Sequence, residues 1–157
     1  NKQKLINQKS HDDSKPDYVN IDSDSKIRQE IIHPLKTKTY NISSNFGYRI
    51  HPIHNTKRFH SGIDIAAPKN TLIHSIMAGK VLKAGYVNGY GNYIVVLHEK
   101  GIKSSYAHLN EISVEKGQKV YKGEIIGKVG KSGSANGYHL HFEIIHNNKK
   151  INPEPFL

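Results

Sequence analysis

The chain contains no cysteine, which removes disulfides, thiolate metal ligands and thiol nucleophiles together. Any metal site must therefore be built from histidine and carboxylates. No run of about 18 apolar residues occurs, so no helix of this sequence spans a bilayer. Arginine is scarce: beyond residue 40 only Arg49 and Arg58 occur, and the lysines are scattered. The formal charge of +10 and the pI near 9.7 thus give a surface that attracts polyanions, without the basic helix or interleaved aromatics of a nucleic-acid binder. Lysine used simply for solubility accounts for the same numbers. A His-Glu-x-x-His motif is also missing, and with it the helix-borne general base of that metalloprotease class. The first residue is Asn1, with no basic-then-apolar stretch before it, the pattern expected once a leader or anchor has been removed.

Residues 1–29 are polar, follow neither a helical nor a strand period, and are expected to be a flexible leader or linker that adds nothing to a core. A single domain is expected over residues 30–157. Its short apolar segments, separated by Gly, Asn, Lys and Pro, indicate an all-β fold. Strands are predicted at Lys80–Ala84, Tyr93–His98, Lys103–His108, Ile125–Val129 and Leu140–His146, with turn chemistry at 88–92, 100–101, 116–117 and 122–123. No long amphipathic helix is expected. The stretches 79–81 and 114–129 resemble lipoyl and biotinyl carrier domains, yet the single Met77 is followed by Ala-Gly-Lys rather than by a Lys poised for modification. The expectation is an antiparallel β-sandwich related to that barrel-sandwich (duplicated hybrid) architecture, without the carrier function.

Eleven histidines are present, and two constellations stand out. In Gly137-Tyr138-His139-Leu140-His141-Phe142-Glu143, a strand would put His139 and His141 on one face and Leu140 and Phe142 on the other. Two surface histidines on a half-polar strand would look the same. In His60-Ser61-Gly62-Ile63-Asp64, an extended chain would hold the end Cα atoms roughly 13 Å apart, so convergence requires a bend, for which Ser61-Gly62 is permissive. Asp64 lies between Ile63 and Ile65 and, if buried, needs a cation, an arginine or backbone amides. Two histidines and one carboxylate would make a three-ligand site with a position open for water, as in catalytic zinc sites. Proton transfer would then fall to spare histidines, His139 and His108 being the candidates.

An ordered motif series joins these residues: Ser44-Asn45-Phe46-Gly47-Tyr48-Arg49-Ile50-His51-Pro52, His60-x-Gly62-x-Asp64 running to Pro68, Gly89-Tyr90-Gly91-Asn92, Tyr106-Ala107-His108-Leu109, Gly127-x-Val129-Gly130 and His139-Leu140-His141-Phe142-Glu143. Over about residues 31–157 the sequence resembles LytM and lysostaphin-type zinc metalloendopeptidases. The resemblance implies one Zn2+ per chain on His60, Asp64 and His141, with His108 and His139 as catalytic histidines. It further implies hydrolysis of peptide cross-links or stem peptides of bacterial peptidoglycan outside the cytoplasm, and the positive charge read above suits anionic cell-wall polymers as partners. The alternative is a non-catalytic regulator of cell-wall amidases, as in relatives that have lost ligands. The departures are Asn70, Lys131 and Tyr138 at loop positions. His51 is expected to be structural. His54, His74, His98 and His146 are expected at the surface or at strand ends, and His11 and His33 outside or at the edge of the matched region.

Overall fold

A computed structural model describes residues 21–50 and 54–157. His11, His51 and Pro52 lie outside them, as do residues 1–20 of the expected leader. The elements are helix α1 (Ile21–Glu30) and strands β1 (Asn41–Ser44), β2 (Gly47–Ile50), β3 (Lys57–His60), β4 (Ile63–Ala66), β5 (Leu72–His74), β6 (Gly79–Val87), β7 (Gly91–Leu97), β8 (Ile102–Ile112), β9 (Lys119–Val120), β10 (Ile125–Val129), β11 (His139–His146) and β12 (Lys149–Ile151). All five strands anticipated from sequence are present, four of them longer at one or both ends, and the chain is an all-β protein with antiparallel pairing.

One sheet runs β1-β4-β11-β8-β7-β6-β9, with β10 joining β8 to β5 and β12 beside β11; β2 and β3 form a separate hairpin. Strict alternation drives the central strands. In β4, Ile63 and Ile65 are fully buried, and in β11 Leu140, Phe142 and Ile144 are at most 1% exposed. With Ile94, Val96, Tyr106, Leu109 and Ile126 they form the core, each such side chain contributing about 1.5–3 kcal/mol relative to exposure. Their alternate neighbours are forced onto the opposite face, which is where the polar constellation lies.

Strand β8 changes partner along one edge. Residues 102–107 pair with β11, whereas Leu109, Glu111 and Ile112 pair with β10. His108 sits at the junction with φ of 62°, a left-handed conformation uncommon for a side chain with a Cβ. Its N–H donates to Tyr90 O at 2.8 Å, so the turn between β6 and β7 fixes it in place.

Helix α1 occupies the end of the segment expected to be a leader. Ile27 is only 7% exposed within the core cluster, and the Arg28 guanidinium lies 5.7 Å from the centre of the Phe156 ring. The segment before Ile31 therefore does contribute to the core, through Ile27 of a mostly polar helix. His74 and His98 stand at strand ends but are buried, their Nδ1 atoms bonded to Gly123 O and Ala78 O. His98 also meets Ser104 Oγ at 2.7 Å, and Ser104 in turn meets the Tyr106 hydroxyl at 2.8 Å, a closed polar chain inside the core.

Candidate functional site

The β4–β11 register pairs Asp64 directly with His141 and Ala66 with His139. On its other edge His141 opposes Ala107, the residue before His108. His60 arrives from the end of β3, and Ser61-Gly62 turns the chain into β4. Gly62 is required by proximity rather than by an unusual φ: a Cβ there would stand 2.3 Å from Phe142 O and 2.8 Å from Glu143 Cγ. This close approach to β11 folds the thirteen-ångström span of the extended chain into one site.

Three atoms converge. His60 Nε2 is 3.2 Å from His141 Nδ1 and 3.3 Å from Asp64 Oδ1, and the last two are 2.8 Å apart. Ligands held about 2.0–2.1 Å from a tetrahedral zinc are separated by about 3.3 Å, so the spacing fits such an ion with little adjustment. The outer nitrogens are also committed. His60 Nδ1–H donates to Asn45 O at 2.8 Å, leaving its Nε2 lone pair facing inward. His141 Nε2–H donates to Glu143 Oε1 at 2.9 Å, the carboxylate–histidine arrangement that fixes a metal-ligating imidazole. The three side chains together could hold a metal ion.

Electrostatics match this geometry. Burial would raise the Asp64 carboxyl, but hydrogen bonds to His141 and His60 outweigh it and hold the group well below the usual carboxylate range. Burial would lower His141, but its bonds to Asp64 and Glu143 outweigh that and raise it. Its Nδ1 faces the Asp64 carboxylate, and a metal ion there would compete with a proton for that nitrogen.

His108 and His139 border the same groove, with ring centroids 4.9 Å apart. His108 Nδ1–H donates to Ser132 O at 2.8 Å and His139 Nδ1–H to Gly137 O at 2.9 Å. Each ring thus presents an Nε2 lone pair, that of His139 standing 3.7 Å from Asp64 Oδ1. Burial lowers the His108 pKa, only partly offset by the Ser132 carbonyl, and the ring is neutral at pH 7. All five residues singled out in the sequence meet in one groove of about 730 Å³.

Sequence reasoning assigned no role to Glu143. It is fully buried, accepts from His141, Ser61 Oγ, Tyr90 OH (3.1 Å) and Ser105 Oγ (3.1 Å), and pairs with Lys150 Nζ at 3.0 Å. Burial would raise its carboxyl, but the bonds from His141, Ser61 and Lys150 outweigh this and hold it at about 2. The available signal was spacing: His139, His141 and Glu143 are i, i+2 and i+4 on one strand face. Of the remaining histidines, His54 is exposed, His146 ends β11 and His33 is half-buried near Tyr40.

The chain is similar to several known proteins. The DD-carboxypeptidase/endopeptidase Mpg of Neisseria meningitidis serogroup B is 43% identical over 136 residues, covering 84% of this chain and 31% of that protein. A zinc-containing peptidase from Vibrio cholerae superposes with a TM-score of 0.70 at 36% identity, covering 74% of this chain and 36% of that one. The catalytic domain of the antimicrobial peptidase lysostaphin from Staphylococcus simulans gives a TM-score of 0.66 at 31% identity, covering 74% of this chain and 91% of that domain. The chain spans about a third of the length of the first of these relatives. The sequence profile of peptidase family M23 matches residues 58–153, a stretch that holds His60, Asp64, His108, His139 and His141, and the protein belongs to peptidase family M23.

Proposed function

We propose that the chain is a zinc-dependent endopeptidase that hydrolyses peptide cross-links or stem peptides of bacterial peptidoglycan, and that it works outside the cytoplasm, where that substrate is found. The observation that carries this reading is the convergence of His60 Nε2, Asp64 Oδ1 and His141 Nδ1 with both outer imidazole nitrogens already engaged. The relatives' activities, a zinc-containing peptidase and a DD-carboxypeptidase/endopeptidase among them, support the same assignment.

His60, Asp64 and His141 would hold one Zn2+, with a single carboxylate leaving the centre net positive. When bound, zinc supplies Lewis-acid polarisation of a carbonyl and lowers the pKa of a coordinated water. The protein's own groups do the rest. Ser132 O and Gly137 O anchor the Nδ1–H of His108 and His139, so both rings turn a basic Nε2 toward the groove and accept or return a proton there. His108, depressed by burial, stays in the form that accepts. Glu143 holds the His141 ring in orientation and keeps its outer proton in place. The preference is for D-Ala cross-links over glycyl bridges, because the Phe46-Gly47-Tyr48-Arg49 opening resembles that of family members acting on D-Ala cross-links and the meningococcal relative is named a DD-carboxypeptidase/endopeptidase.

Elemental analysis of the purified protein combined with digestion of isolated sacculi tests the proposal. About one zinc per chain and release of uncross-linked muropeptides are expected. Stoichiometric zinc with intact sacculi would move the protein to the alternative, a non-catalytic regulator of cell-wall amidases.

A further inference from the structure

The hairpin β2–β3 forms one wall of the groove and brings a positive charge that the hydrolytic machinery does not use. Arg49 lines the groove together with His60, Asp64, His139 and His141. Its Nη1 donates to Ser44 Oγ, and Ser44 is the register partner of Asp64 across β1–β4. Neighbouring strands lie about 4.8 Å apart, so the guanidinium is tethered one strand away from the metal-binding carboxylate.

Two further observations show that this charge is uncompensated. Arg49 and Arg58, both exposed, face each other directly across the hairpin, a like-charge pairing that is unfavourable and that a bound anion would relieve. Among the described residues neither arginine forms an ion pair, and the sole carboxylate lining the groove is Asp64, already engaged by His60 and His141. A planar fork of N–H donors beside a net-positive metal centre is matched by a carboxylate, which it can bind through two parallel hydrogen bonds.

We propose that Arg49 binds a carboxylate of the substrate peptide within about one or two residues of the scissile bond, given roughly 3.3–3.6 Å of peptide per residue. Arg49 is thus a specificity-determining residue that selects anionic stem peptides over amidated ones. This rests on the endopeptidase reading above. Two groups carry the required chemistry: the α-carboxylate that ends the peptide, and the side-chain carboxylate of the residue bearing the cross-link.

The test uses cross-linked muropeptide dimers in three matched forms: unmodified, amidated at the terminal α-carboxylate, and amidated at the side-chain carboxylate. With the wild-type protein, one of the two amidations should lower kcat/KM by up to about fivefold, through KM rather than kcat, and its position identifies the group bound. Arg49→Gln should cut the unmodified dimer as poorly as the amidated one while keeping its zinc and its melting temperature, and Arg49→Lys should recover part of the preference. Equal wild-type kcat/KM on all three forms, or a preference that survives in Arg49→Gln, overturns the proposal. Zinc-loaded wild-type protein that cuts none of the dimers overturns instead the endopeptidase reading beneath it.

Discussion

His141 and Asp64 face each other as register partners across β4 and β11, with Nδ1 and Oδ1 2.8 Å apart. Because sheet register sets this contact, the two candidate ligands are held together by backbone hydrogen bonds, in a geometry that does not depend on an ion. Such preorganisation makes the carboxylate's charge, rather than the shape of the site, the quantity to probe.

Asp64→Ala is expected to abolish stoichiometric zinc binding, since two imidazoles alone give neither the charge nor the third ligand of such a site. Metal content after dialysis is the measurement. Retention of one zinc per chain would remove Asp64 from the site. Asp64→Asn keeps the size of the side chain and should still bind far more weakly.

The polar side chains of β11 point to a second test. Glu143→Gln removes the charge that holds the His141 ring and takes the ion-pair partner from the exposed Lys150. Changes of this kind behind a ligand histidine typically cost 10–100-fold in metal affinity. Competition against a chromogenic chelator should show that loss, and equal affinity for variant and wild type would assign Glu143 to the fold alone.

How much of this was legible in the sequence differs from residue to residue. Alternation made the faces of β11 readable: Leu140 and Phe142 are core and His139 and His141 are not, because a strand side chain has only two directions to take. Asp64 between two isoleucines was readable for the same reason. The route by which His60 reaches Asp64 was only half visible. Glycine at 62 suggested a permissive φ, whereas its cause is the passage of β11 at 2.3 Å from where a Cβ would lie, a long-range contact that local sequence does not carry. Glu143 was hidden because its partners come from five separate places in the chain, Ser61, Tyr90, Ser105, His141 and Lys150. Helix α1 was hidden because it is polar along most of its length and docks against Phe156, more than a hundred residues away.

That docking is testable. Ile27→Ala should lower unfolding stability by about 2 kcal/mol, the low end for buried large-to-small changes because the site lies at the edge of the core. Urea unfolding measures it. No change would place α1 outside the cooperative unit.

Acid sensitivity should have an identifiable source in His33. Leu35 N–H donates to its Nδ1 at 3.1 Å, so Nε2 carries the proton, and that atom is buried with no partner among the described residues. Burial holds the ring at about 4, below its ordinary value of 6.5. The folded state therefore binds fewer protons than the unfolded state between these values. The sign follows: this contribution to stability is complete above about pH 6.5, erodes as pH falls, and is lost through about pH 4. His33→Phe keeps the ring contact with Tyr40 and should flatten the dependence of unfolding stability on pH across that window. An unchanged slope would assign the acid response to the other buried histidines.

The sharpest prediction separates two histidines on one strand face. His139 and His141 are two residues apart in β11, yet only His141 has a ring nitrogen within the triangle of candidate ligands; the His139 Nε2 stands off Asp64 by 3.7 Å and its Nδ1–H is held by Gly137 O. Their substitutions should therefore fail differently. His141→Ala should lose both zinc and activity, because one histidine and one aspartate rarely hold the ion tightly. His139→Ala should keep the zinc and still lose roughly 10²- to 10⁴-fold in rate, the usual worth of general acid–base assistance. His108→Ala should behave like His139→Ala, since its Nδ1–H is anchored in the same way on Ser132 O. Zinc content and muropeptide release, measured on the same preparations, decide the matter. Loss of zinc from His139→Ala with retention in His141→Ala would exchange the two roles, and full activity in both would exclude the mechanism.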